Sequence, residues 1–106
     1  MVDTAVAHLL AFCEQRMAET EGDDWDRYNA YDAVARHIRL MRPRWKALVI
    51  QLVCWTREKR QVAAQIRANG FGLALADLYE QTAAIYDDLT DRLAAEVDER
   101  AQSDDV

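Results

Sequence analysis

Residues 45–89 carry most of the information about the architecture, and they read WKALVIQLVCWTREKRQVAAQIRANGFGLALADLYEQTAAIYDDL. In the first half, mostly apolar residues recur at alternating spacings of three and four, which is typical of a helix with a heptad-like seam. The pair Asn69-Gly70 then interrupts the pattern, as a helix C-cap followed by a turn does. The same spacing returns beyond it. The stretch therefore predicts two long helices joined as an antiparallel hairpin.

The two arms of this hairpin are expected over 43–68 and 71–99, with Pro43 at a first-turn position that needs no N–H group. The seam of the first arm consists of Trp45, Leu48, Leu52, Trp55, Lys59, Val62 and Ile66. The seam of the second arm consists of Phe71, Leu75, Leu78, Thr82, Ile85, Leu89 and Leu93. The first arm also has a second apolar side, formed by Val49, Ile50, Val53 and Cys54. A helix that is apolar on two sides is expected to be buried in the centre of the bundle.

Two shorter helices are expected before the hairpin, over 3–18 with Asp3 as N-cap and over 25–41, separated by a turn at Gly22. The apolar stripe of the first is Val6, Leu9, Leu10, Cys13 and Met17. The sequence thus predicts an all-α antiparallel bundle of four helices, as a single domain over 1–101 followed by a disordered polar tail over 102–106. Arms of about 40 Å would project beyond helices of about 25 Å. Self-association into a homodimer would cover the projecting seam.

Composition narrows the class of protein. With 106 residues, 51% apolar and 30% charged, the chain is globular rather than disordered. The densest apolar run, 47–55, is too short to cross a bilayer. The N-terminus lacks the pattern of a signal peptide, and the two cysteines, which form no C-x-x-C pair, are expected to be buried thiols. These features favour a cytoplasmic protein, and the excess of arginine over lysine is typical of GC-rich genomes such as those of actinobacteria and their phages.

Charge is distributed in three blocks. Residues 1–32 carry eight acidic and two basic side chains, 33–68 carry nine basic side chains and the single acid Glu58, and 69–106 carry ten acidic and two basic side chains. Such blocks pair within the chain, across an assembly or with a charged partner. Pairing within the hairpin would set Arg60 close to Asp77 and Glu80. These exposed pairs contribute little energy each, but they select the antiparallel register.

The basic block also suggests a binding site at the junction of the second and third helices. Arginines and aromatic residues concentrate binding energy at protein interfaces, and the same arginines suit phosphates or bases. Binding to a protein partner is the leading hypothesis, and nucleic-acid binding is the alternative, because a pI of about 4.8 and acidic flanks disfavour a polyanion. The candidate contact residues are Trp25, Tyr28, Arg36, Arg39, Arg42, Arg44, Trp45 and Lys46.

Catalytic and metal-binding patterns are missing from the sequence. Neither His8 nor His37 follows an acid by three residues, as di-metal bundles require, and no phosphate-binding glycine loop or zinc spacing occurs. A Cys–His dyad assembled across helices, Cys54 with His37 or Cys13 with His8, stays open as a further alternative. The sequence therefore predicts a non-enzymatic interaction module without cofactor or metal, self-associating and acting on a protein partner, as an accessory or phage-encoded modulator would.

Overall fold

The computed structural model describes residues 3–104, with side chains as far as Arg100, and contains four helices. They are α1 (Thr4–Thr20), α2 (Trp25–Met41), α3 (Trp45–Asn69) and α4 (Leu73–Asp104). No strand occurs in this range. The predicted all-α bundle with two short and two long helices is therefore confirmed, and the bounds of α2 agree with the prediction.

The helix ends differ from the prediction where the connections have special backbone geometry. Pro43 precedes α3 instead of lying in its first turn, because Arg42 adopts the left-handed conformation (φ 45°) and redirects the chain. The start of α4 moves to Leu73, since Gly70 and Gly72 both have positive φ and extend the turn. At its other end α4 continues to Asp104, because no glycine or proline stops it. Residues 102–104 of the predicted tail thus belong to α4, and residues 105 and 106 lie outside the described part.

The α1–α2 hairpin packs against the end of the α3–α4 hairpin that is remote from the Gly70 turn. Aromatic contacts mark the junction: the Trp55 ring lies 5.5 Å from Tyr86 and 5.2 Å from His37. The largest fully buried side chains come from all four helices, and they are Leu48, Leu52, Leu89, Leu93, Val34 and Cys13. One core thus joins the two hairpins at this end.

The other end of the long hairpin projects from the bundle, whose principal extents are 54 × 29 × 22 Å. Phe71, Leu73 and Leu75 are 83%, 57% and 48% exposed at this tip, in agreement with the expectation that part of the hairpin is left uncovered. Phe71 and Leu75, which their spacing assigned to the seam, belong to this uncovered part and are not buried within the chain. In α4 the buried positions near the tip are Ala76 and Ala83, because small side chains let the two arms approach closely.

The prediction that α3 is buried on two sides was wrong. Val49 is half-buried, but Ile50 and Val53 are 65% and 41% exposed, and Cys54 is exposed. The seven predicted seam positions of α3, from Trp45 to Ile66, are all buried or half-buried. The α1–α2 hairpin reaches α3 from one flank only, so the opposite face of α3 stays open to solvent.

Candidate functional site

Several cations of the basic block are neutralised by acids from the flanking blocks. Arg39 in α2 forms an ion pair with Glu14 of α1 at 3.2 Å. Within the long hairpin, Arg67 reaches Asp77 at 2.9 Å and Glu80 at 3.0 Å. These pairs connect α1 with α2 and α3 with α4, so each lies within one hairpin.

The predicted partner of Arg60 was wrong. Its guanidinium lies 3.6 Å from Asp87 instead of approaching Asp77 and Glu80. The longer turn, which includes Phe71 and Gly72, shifts the facing positions along α4. Cross-arm ion pairs could thus be expected from the sequence, whereas their register depends on the length of the turn.

Three cations at the corner between α2 and α3 make no ion pair with any side chain of residues 3–100. Arg42 caps α2, Arg44 precedes α3, and Lys46 lies in the first turn of α3 with its ammonium 5.6 Å from the ring centre of Trp45. All three are exposed. The net positive charge of the basic block is therefore concentrated at this corner.

Two of these cations border a groove between the start of α1 and the end of α2, called here the basic groove. Its volume is about 750 Å³. Apolar side chains from α1, α2 and the connecting segment line it together with three arginines. The lining residues are Asp3, Val6, Ala7, Leu10, Ile38, Arg39, Arg42, Pro43 and Arg44. The groove thus combines apolar surface with guanidinium groups that can bind carboxylates in a bidentate geometry.

The corner is held in place by Asp3. One carboxylate oxygen, Oδ1, accepts hydrogen bonds from the N–H groups of Ala5 (3.1 Å) and Val6 (3.4 Å), which caps α1. The other oxygen, Oδ2, accepts a hydrogen bond from the N–H of Trp45 at 2.9 Å. Because Arg44 offers α3 no side-chain cap, Asp3 caps two helices at once. This double cap fixes the start of α3 against α1 and so sets the width of the groove.

The predicted contact residues do not form one surface. Arg36 lies outside the groove and is bound by Asp32 one turn earlier in α2, at 2.6 Å. Trp25 and Tyr28 pack edge to face, 5.1 Å apart, at the start of α2, about 16–21 Å along the helix axis from Arg39. Three of the eight candidates, Arg39, Arg42 and Arg44, line the groove, while Trp45 and Lys46 adjoin it.

The apolar lining from α1 was not predicted as part of a site. Val6 and Leu10 were assigned to the stripe that packs into the core, and Leu10 is only half-buried in the structure. Ala7, which lies next to the stripe, completes the lining. The sequence offers no signal that separates this lining from the core stripe, because both consist of apolar residues at helical spacing.

Only one of the two cysteines is buried as predicted, and each histidine contacts a side chain of another helix. Burial, with a smaller contribution from Glu14, raises the pKa of Cys13 from its ordinary 9.0 to about 12, so this thiol is protonated at neutral pH. Cys54 is exposed, which corrects the prediction, because it lies on the open face of α3. His37 packs edge to face on Trp55, and His8 pairs with Glu96 of α4.

A search of the described residues for three or more His, Cys, Asp or Glu side chains placed to hold a metal ion finds none. The same part of the chain contains no helix that is both long enough and apolar enough to cross a membrane. Comparison of the sequence with protein families and curated proteins, and of the chain with solved structures, gives no match.

Proposed function

We propose that the protein is a non-enzymatic interaction module that binds an acidic segment of a protein partner in the basic groove and also self-associates. Its two thiols are unpaired, which suits action in the reducing cytoplasm. The observation that carries the proposal is the groove itself, whose lining combines apolar side chains with three arginines. Two of them, Arg42 and Arg44, make no ion pair within residues 3–100.

The chemistry of the groove specifies its ligand. The apolar lining favours aliphatic side chains, and burial of one such side chain contributes about 1.5–3 kcal/mol. The guanidinium groups of the lining favour carboxylates, and hydrogen bonds to charged groups contribute about 1.5–3 kcal/mol each. A helical segment with leucines on one face and glutamates beside them offers both kinds of group to one groove. The partner is therefore a protein with an acidic amphipathic helix.

A synthetic peptide tests this function. A helical 15-residue peptide with leucine at every third or fourth position and glutamate between should bind, as measured by fluorescence anisotropy. Arg42→Glu or Arg44→Glu should weaken binding at least about tenfold, because one lost charge-assisted hydrogen bond exceeds the 1.4 kcal/mol of a tenfold change. Arg36→Glu is the matched control, since Arg36 lies in α2 outside the groove, and should leave the affinity within about twofold.

The same assay addresses the alternative of nucleic-acid binding. A single-stranded oligonucleotide of 20 nucleotides, titrated under the same conditions, should bind more weakly than the peptide. Equal losses of peptide affinity in the Arg36→Glu and Arg42→Glu chains would contradict a site in the groove. If the oligonucleotide binds more tightly than the peptide, with a steep dependence on salt, the ligand of the groove is a nucleic acid and not a protein.

Self-association is supported by large apolar side chains on the surface. Leu40, Met41 and Ile50 are exposed towards one end of α3, and Phe71 and Leu73 are exposed at the other. Exposed apolar patches of this kind mark interaction surfaces in stable proteins. Light scattering behind a sizing column measures the expected dimeric mass directly.

A further inference from the structure

We propose that two copies of the chain pair through the solvent-facing side of α3, antiparallel about a two-fold axis between Arg57 and Glu58. This inference rests on the self-association proposed above and assigns it a surface and a register. The surface, called the outer face, consists of exposed residues at spacings of three and four: Ala47, Ile50, Cys54, Arg57, Gln61, Ala64 and Ala68.

The outer face has the pattern of a helix–helix seam that lacks its second helix. Spacings of three and four place residues along one line on a helix, as at the a and d positions of a coiled coil. Alanines at its ends permit close approach of a neighbouring backbone. A depression of about 440 Å³ runs beside it, bordered by Val53, Arg57, Gln61 and Ala64 together with Arg60 and Asp87. A second helix would fill this depression.

Charge identifies the second helix as another copy of α3. Glu58 is the single acid in residues 33–68 and follows Arg57 directly. Neither side chain forms an ion pair with any other described side chain. In an antiparallel pair centred between them, Arg57 faces the partner's Glu58, and the two-fold axis repeats the pair. The Arg57–Glu58 pair of one copy is thus complementary in charge to the same pair of the other copy.

The exposed apolar residues are also placed for this arrangement. Arg57 is the midpoint of α3, which runs from Trp45 to Asn69, so both ends of the helix lie about 18 Å from the axis. Leu40 and Met41 are exposed beyond one end, and Phe71 and Leu73 beyond the other. Antiparallel pairing brings the tip of one copy alongside the α2–α3 corner of the other. One two-fold contact would therefore cover most of the exposed apolar side chains.

Charge reversal tests the proposed axis. Arg57→Glu or Glu58→Arg places like charges opposite each other twice across the axis, so we expect each to raise the dimer dissociation constant at least tenfold at low salt. The double variant Arg57→Glu/Glu58→Arg restores opposite charges and should restore the dimer. Asp23→Arg is the control, since Asp23 is exposed in the turn between α1 and α2, outside the long hairpin. Light scattering gives the mass, and circular dichroism should show unchanged helix content in all four chains.

The possible results separate the inference from the function on which it rests. Dimers of equal stability in all variants would overturn the outer face as the interface, while self-association would stand. A monomeric unmodified chain at 100 µM would overturn both, and peptide binding in the basic groove would still be measured independently. Dissociation by single reversals without rescue by the double variant would overturn the proposed register.

Disulfide cross-linking tests the register of the two α3 helices independently of charge. In the proposed pairing Cys54 lies opposite the partner's Gln61, so Gln61→Cys should give a covalent dimer on oxidation with copper phenanthroline. Gln65→Cys is the matched control, because position 65 lies opposite the partner's Ile50 and about one turn from Cys54. Faster cross-linking of the Gln65→Cys chain would contradict the register. Non-reducing electrophoresis gives both rates.

Discussion

Arg42 combines an unfavourable backbone conformation with a place in the proposed site. Its φ of 45° lies in the left-handed region, where an L-residue with a side chain loses roughly 1–2 kcal/mol relative to a right-handed conformation. Glycine is the usual residue at such a helix end. Here an arginine occupies it and borders the basic groove. Strained residues that persist in a fold are frequent at functional sites, which fits a role for this side chain in binding.

We therefore expect Arg42→Gly to stabilise the fold and to weaken binding. The substitution removes about 1–2 kcal/mol of strain and costs about 0.5–1 kcal/mol in backbone entropy. The free energy of unfolding should rise by up to about 1.5 kcal/mol, while affinity for the acidic peptide falls. Arg44→Gly is the control, because Arg44 is extended (φ −75°, ψ 159°), and it should destabilise. Urea unfolding measures both, and a loss of stability in Arg42→Gly equal to that in Arg44→Gly would contradict this account.

At the scale of elements, the contact between α3 and α4 depends on small residues in α4. Ala76 and Ala83 have no exposure, whereas Leu75 is 48% exposed. A pattern of large apolar residues therefore identified the face of α3 correctly and misplaced the first turns of α4. Two helices that pack closely bury small residues at their contact. Where an alanine stands beside a leucine, the sequence does not indicate which of the two is buried.

Two neighbouring alanines test the observed seam. Ala83 is buried between the arms and Ala84 is exposed. Ala83→Leu inserts a large side chain into a filled contact and should lower the free energy of unfolding by about 1–3 kcal/mol. Ala84→Leu should change it by no more than about 0.5 kcal/mol. Urea denaturation of the two chains gives the comparison, and equal effects would place the seam elsewhere.

The candidate site shows a similar division between what the sequence predicts and what only the fold determines. Clustering of Arg39, Arg42 and Arg44 followed from their position at one helix junction. The pairing of Arg36 with Asp32 was not predicted, although a spacing of four on one helix is the signal for such a pair. The sequence could not show that α1 supplies the apolar lining. That depends on the double cap by Asp3, whose bond to Trp45 joins residues 42 positions apart.

At the scale of the whole molecule, the core is concentrated at one end. The α1–α2 hairpin covers the end that contains Leu48, Leu52, Leu89 and Leu93, all buried. Towards the tip, α3 and α4 have only each other. The described contacts there include the ion pairs of Arg67 with acids of α4, and exposed pairs contribute little. Stability should therefore decrease along the hairpin from the core to the Gly70 turn.

Hydrogen exchange followed by mass spectrometry measures this gradient. In the Glu58→Arg chain, which we expect to be monomeric, amides of 62–78 should exchange at least about tenfold faster than those of 46–56, because local opening near the tip exposes few buried contacts. Arg67→Ala, added to that chain, should raise exchange further in 62–78 and leave 46–56 unchanged. Ala68→Ser is the control for a substitution beside Arg67 that leaves its ion pairs intact. Uniform protection along both arms would mean that α3 and α4 unfold as one unit with the core, and that the tip needs no cover from a second copy.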